Sequence, residues 1–227
     1  MTGRLITLEG IDGVGKTTHL SLLQDFLRGY GVSVRAFRDP GSTALGEQLR
    51  LLIKGGVMES PLAELLLFAA ARAELVTTRI RPVLAAGGMV LLDRFTDSTL
   101  AYQGALLRIP EPALQAVCEA AADGLKPDLT LWLDLDPELA LQRRYPLAQA
   151  LFGDAPKLAG NNAQIGGGDA IEQRDTGYYR RVRERYLALC RREPARIVCI
   201  DASGSKEETA RLVRVAVAEK LKEWRIG

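Results

Sequence analysis

The stretch LEGIDGVGKTT, Leu8 to Thr18, places Gly10, Gly15, Lys16 and Thr17 in the pattern G-x-x-x-x-G-K-[ST]. Glycines let consecutive backbone N–H groups turn inward around an anion, and a helix that begins directly afterwards aims its N-terminus at the same point. The run Gly10, Ile11, Asp12, Gly13, Val14, Gly15, Lys16, Thr17 and Thr18 is therefore a cradle for nucleotide phosphates. Within it, Lys16 supplies a charge for the β- and γ-phosphates. Thr17 supplies a hydroxyl for Mg²⁺, which bridges them. Asp93 closes the apolar run MVLL, so its carboxylate emerges beside the loop as a second metal-side oxygen, and Arg94 follows it. Such an Asp-Arg pair is an ordinary ion pair in most settings. Beside a phosphate loop it is read as part of the site.

These residues need a scaffold, and the chain supplies a repeating one. Strand-like runs occur at RLITLEG, VSVRAF, GMVLLDRF, DLTLWLDL and RIVCIDA, with helical periodicity between them. Strands alternating with helices predict an α/β fold with a parallel sheet of those five runs, flanked by helices and binding ligands at the carboxyl ends of its strands. Each candidate motif falls there: the phosphate loop after the first run, RDPGS after the second, DRF after the third. Two segments are less regular. GSTALGEQLRLLIKGGVMESP reads as a turn, a short helix carrying Arg50, and a second turn. Gly153 to Asp175, rich in Gly, Asn and Ala, reads as a mobile flap or linker.

Composition narrows the partners. A chain of 227 residues with 47% apolar content and a net charge of +2 suits a soluble globular enzyme, not a nucleic-acid surface. Cys118, Cys190 and Cys199 form no C-x-x-C pair, which favours a reducing compartment over a disulfide framework or zinc site. The chain enters a strand at once, without a leader pattern, and its most apolar segment is interrupted by Glu64, Arg72 and Glu74, so a cytoplasmic protein without a membrane span is expected. His19, the single histidine, is assigned no chemistry. A GTPase is set aside because LKPD, Leu125 to Asp128, lacks the asparagine of a guanine-reading motif and precedes a strand instead of following one.

Taken together, LEGIDGVGKTT, RDPGSTALGEQLR, LLFAAARAEL, DRFTDSTLAYQG, PDLTLWLDLDPELALQRR, VRERYLAL and IDASGSKEE resemble the bacterial thymidylate (dTMP) kinases in order and spacing over essentially the whole chain. The resemblance implies a single domain spanning residues 1–227 with the three-layer fold of P-loop nucleoside monophosphate kinases and a mobile lid near 143–175. It also implies ATP as donor, dTMP as acceptor, Mg²⁺ and a homodimer. Phe68 then matches the ring that stacks on thymine, and Arg72, one helical turn later on the same face, the donor to the base edge. Thr99 and Gln103 match polar groups near the base, and Tyr102 the ring against the deoxyribose. Arg50 and Arg94 match the arginines of the acceptor phosphate. Asp12 and Asp39 lie near the acceptor's sugar and the metal. The apolar helix from Pro61 to Val76 is expected to be buried between two protomers.

The chain departs from that family's pattern in one place with chemical weight. The family's lid reads close to R-x-x-x-x-D-R-x-E, whereas here Ala170 stands at the arginine position of DAIE, and the P-loop carries uncharged Gly13 and Val14. Arg143, Arg144 and Arg174 flank the flap and are the candidates to bring charge to the transferring phosphate, Arg143 first. Two other functions compete with this reading. A deoxyribonucleoside kinase would need a carboxylate base at the acceptor hydroxyl, and a nucleotide-binding regulator would keep the pocket without turnover.

Overall fold

The computed structural model describes residues 3–107, 109–144 and 174–226. Five strands, β1 (Arg4–Glu9), β2 (Val34–Arg38), β3 (Met89–Asp93), β4 (Leu129–Asp134) and β5 (Ile197–Asp201), form one parallel sheet in the order β2-β3-β1-β4-β5. Nearly continuous burial of β1 and β4 is what a parallel sheet covered on both faces demands. Alternation along the strands divides their side chains between two layers. Leu5, Val90 and Leu92 join Leu75, Val76, Ile80 and Phe95 in one cluster, while Ile6, Leu8 and Leu91 join Leu23 and Leu27 in the other.

The helices are α1 (Lys16–Arg28), α2 (Ala44–Gly55), α3 (Pro61–Leu75), α4 (Arg81–Ala85), α5 (Thr96–Leu106), α6 (Glu111–Ala121), α7 (Pro137–Arg144), α8 (Thr176–Arg192) and α9 (Lys206–Glu223). Their starts follow local rules. Thr43 accepts a hydrogen bond from Gly46 N at the start of α2, Ser60 caps α3 ahead of Pro61, and Ser205 with Glu208 forms a full capping box on α9. One π-helical segment, Val76–Ile80, joins α3 to α4, so the apolar helix continues past Val76.

Register decides where the chemistry sits. Leu8 and Arg38 both pair with Asp93, so the carboxyl ends of β1, β2 and β3 are level, while Glu9 pairs with Trp132 and β4 runs two residues further, to Asp134. The loops that follow Glu9, Arg38 and Asp93 therefore open on one edge of the sheet. Asp128 lies at the opposite edge, where it accepts from Arg4 Nη1 at 2.6 Å and Leu5 N at 2.8 Å and ties β4 to β1.

Candidate active site

Backbone crowding explains the glycines of the phosphate loop. At Gly10, φ 136°, a Cβ would come within 2.6 Å of the Leu133 carbonyl oxygen, and at Gly13, φ 90°, within 2.5 Å of the Ala140 carbonyl oxygen. The loop is thus pressed between β4 and α7, with Ile11 and Val14 buried beneath it. Lys16 Nζ donates to Ile11 O at 3.0 Å and lies 3.5 Å from Asp12 Oδ1. Burial, and then the nearby Arg94 charge, lower the Lys16 pKa, against the pull of Asp12, Asp93 and Glu9. Thr17 Oγ1 donates to Asp93 Oδ2 at 3.2 Å. His19 packs under the loop; burial lowers its pKa, and its Nδ1 has no hydrogen-bond partner among the described residues.

A cavity of about 330 Å³ opens over this loop, lined by Asp12, Lys16, Thr17, Thr18, Asp93 and Arg94, with Arg38, Asp39 and Arg50 on its far wall. That volume suits a small-molecule site. A hydroxyl beside a carboxylate is a hard-oxygen donor pair, which suits Mg²⁺, an ion that takes one or two protein oxygens and completes its shell from phosphates and water. Among the described residues no cluster of three or more His, Cys, Asp or Glu gathers to hold a metal, so the pair forms no all-protein cage.

Arg94 stands between this cavity and a second one. Its backbone is left-handed, φ 68°, and its N–H donates to Leu8 O at 3.0 Å. From that position Nη2 donates to Asp12 Oδ1 at 2.7 Å and to the Tyr102 hydroxyl at 3.2 Å, while Nη1 donates to Ser98 Oγ at 3.1 Å. Glu9, fully buried, organises the turn from below. Its Oε1 accepts from Phe95 N at 2.7 Å, and its Oε2 from Ser98 Oγ at 2.5 Å and the Tyr186 hydroxyl at 2.8 Å. Burial, and then the charge of Asp97, push the Glu9 carboxyl up to about 7.

The second cavity is lined by Phe68, Arg72, Thr99, Tyr102 and Gln103 and shares Asp12, Asp39, Arg50 and Arg94 with the first. Phe68 lines this cavity, is half-buried and belongs to neither core cluster of the described residues. Arg72 is held by three acceptors: Asp39 Oδ2 at 2.6 Å from Nε, and Thr99 Oγ1 at 2.8 Å and Phe95 O at 3.2 Å from Nη2. Burial raises the Asp39 pKa against the pull of Arg72, Arg50 and Arg94, and Asp39 Oδ1 has no hydrogen-bond partner among the described residues. Arg50 Nη1 donates to Pro40 O at 3.1 Å.

Arg143 and Arg174 are placed apart from the phosphate cavity. Arg143 donates to the carbonyls of Ala202, Ser203 and Gly204 at 2.7, 2.6 and 3.1 Å, fastening α7 to the loop after β5. Arg174 lies on Glu64 and the Tyr178 hydroxyl. Ala170 and the flap between residues 145 and 173 fall outside the described residues, as does the Arg144 side chain. Sequence reasoning missed Glu9, Ser98, Arg38 and Glu64. The signal for Glu9 was a carboxylate closing an apolar strand, and for Glu64 a carboxylate within an apolar helix.

Comparison with known proteins agrees with this geometry. Residues 8–213 match the family model described as thymidylate kinase. A thymidylate kinase of Synechococcus sp. (strain JA-3-3Ab) is 45% identical over 216 residues, covering 95% of this chain and 96% of the relative. One from Deinococcus radiodurans is 40% identical over 219 residues, covering 96% and 98%. The crystal structure of thymidylate kinase from Ehrlichia chaffeensis superposes with a TM-score of 0.71 at 29% identity, covering 95% of this chain and 99% of that one. The phosphate loop at the level edge of the sheet, the second cavity joined to it and the match along nearly the whole sequence lead to one assignment: the chain belongs to the thymidylate kinase family.

Proposed function

We propose that the joined cavities carry phosphoryl transfer from ATP, held on the loop Gly10 to Thr18, to the phosphate of dTMP, giving dTDP and ADP. The observation that supports this most is the wall common to both cavities, Asp12, Asp39, Arg50 and Arg94, which gives two phosphate-bearing ligands one charged meeting point. An acceptor phosphate is already ionised at neutral pH, so positioning and charge neutralisation suffice without a strong base. Lys16 and the N-terminus of α1 hold the donor phosphates. Arg50 and Arg94 hold the acceptor phosphate, with Arg94 oriented by Asp12 and Tyr102. Phe68 stacks on the base, Arg72 and Gln103 meet its edge beside Thr99, and Tyr102 flanks the sugar. Mg²⁺, when bound between Thr17 and Asp93, supplies neutralising charge to the phosphates.

Arg143 takes a different part in this proposal from that of a mobile cation. Its three carbonyl contacts make it the anchor of the wall beside Gly13, since α7 presents Ala140 O to that glycine. The protein works as a homodimer in the cytoplasm, one domain per chain with its lid near 143–175. No described helix is long and apolar enough to cross a membrane. Exposed Leu62 and Leu66 on α3, 47% and 52% accessible, with Leu51 and Leu52 of α2, supply an apolar face for a second copy.

A coupled ADP-release assay with dTMP, dUMP, thymidine and no acceptor tests the reading. Turnover is expected with dTMP and not with thymidine. Equal turnover with thymidine would point to a nucleoside kinase, and binding without turnover to a regulator.

A further inference from the structure

Glu64, on α3, is 7% exposed and stands behind Gln103, which lines the second cavity. Its Oε1 accepts a hydrogen bond from Gln103 Nε2 at 2.9 Å, and its Oε2 accepts one from Arg174 Nη2 at 2.6 Å. An ionised carboxylate is an acceptor only, so the end of the Gln103 amide that faces it must be the NH₂. Gln103 is 2% exposed and its carbonyl Oε1 makes no hydrogen bond among the described residues, although the side chain lines the cavity. Across the same cavity Arg72 has committed Nε and Nη2 to Asp39, Thr99 and Phe95, leaving Nη1 as its uncommitted donor. Arg72 Nη1 and Gln103 Oε1 therefore offer a donor and an acceptor whose order is fixed.

We propose that Glu64 is a specificity-determining positioning residue: by holding the Gln103 amide in one orientation, it makes the cavity accept a pyrimidine with a keto oxygen beside a protonated ring nitrogen and reject cytosine. The inference rests on the reading of this cavity as the site of the dTMP base. Thymine and uracil present O4 to a donor and N3–H to an acceptor. Cytosine presents the reverse, an amino group and a bare N3, so both of its edge groups meet a like partner. A buried site built for one hydrogen-bond pattern leaves polar groups unpaired when the wrong ligand binds, and that is where large discrimination arises. The 5-methyl group touches neither Arg72 Nη1 nor Gln103 Oε1 in this scheme, so thymine and uracil are not separated by it.

The test compares kcat/KM for dTMP, dUMP and dCMP in the full chain and in Glu64→Gln, where the new amide can offer either end to Gln103. The ratio of dTMP to dCMP should fall at least tenfold, equivalent to about 1.4 kcal/mol, while the ratio of dTMP to dUMP stays constant. A residue with a merely structural role would lower all three substrates in parallel, and an unchanged dTMP-to-dCMP ratio overturns the proposal. Glu64→Gln in a Gln103→Leu background should change that ratio no further; an equal change there would show that Glu64 does not act through Gln103. Should the single variant fail to fold with Arg174 left unpaired, Glu64→Gln with Arg174→Met removes the buried ion pair together and carries the same expectation. If the unaltered chain does not phosphorylate dTMP, the functional reading itself fails, an outcome distinct from an unchanged ratio in an active enzyme.

Discussion

Lys16 and Arg72 are both buried cations, yet their removal should cost different things. Lys16 is held at the expense of its own solvation, which lowers its pKa, and its carboxylate neighbour Asp12 is also paired with Arg94. Lys16→Ala is therefore expected to reduce turnover by roughly 10³ or more, as for other charged transition-state contacts in phosphoryl transfer, with the thermal midpoint near that of the unaltered chain. Arg72 neutralises Asp39, whose side chain is fully buried. Arg72→Ala leaves that carboxylate unpaired and should cost about 3–5 kcal/mol in denaturant unfolding, besides raising KM for dTMP far more than for ATP. A stable Arg72→Ala protein with impaired ATP binding would misplace both the pair and the pocket. Motif spacing made Lys16, Thr17, Asp93 and Arg94 legible. The Asp39–Arg72 pair was not, because its members stand 33 positions apart and meet only when β2 and α3 are assembled.

At the scale of elements, the turn from β3 to α5 is set from β1. Glu9 ties Phe95 N, Ser98 and Tyr186 together under Arg94. Its carboxyl, raised from 4.5 to about 7, holds a proton in the folded chain that the unfolded chain has already released within that window. Stability should thus be fully supported by this group below about 4.5, fall as pH rises through about 7, and level off above it. Glu9→Gln removes that slope. Comparing denaturant unfolding of the two proteins from about pH 5 to about pH 8, the unaltered chain should lose about 2–3 kcal/mol relative to the variant; parallel curves would show that Glu9 does not titrate there. Arg143→Ala should detach the loop after β5, lowering stability by about 1–3 kcal/mol with kcat nearly unchanged. A large fall in kcat would instead return Arg143 to the transferring phosphate. The strands and their adjoining motifs were legible as apolar runs with glycine turns. Carbonyl partners such as those of Arg143 were not, since every residue carries a carbonyl and sequence does not say which one a guanidinium will find.

For the whole molecule, the level carboxyl edge of a parallel sheet explains why one small chain can bring two nucleotides together. The strand order β2-β3-β1-β4-β5 could not be read from the sequence, because alternation of strand and helix is compatible with several orders. Dimerisation belongs to this scale too. Light scattering should give twice the chain mass at micromolar concentration, and Leu66→Arg, placed on the exposed face of α3, should give a folded monomer. A monomeric unaltered chain would leave the apolar face of α2 and α3 without a partner. The left-handed backbone at Arg94 has an evolutionary consequence. A side chain in that conformation costs about 1–2 kcal/mol, a cost that glycine escapes, while the proposed hold on the acceptor phosphate needs the guanidinium. Fold and turnover therefore exert opposite selection at one codon: a library of position 94 screened for thermal survival alone should enrich glycine, and the same library screened for growth that depends on its activity should return arginine.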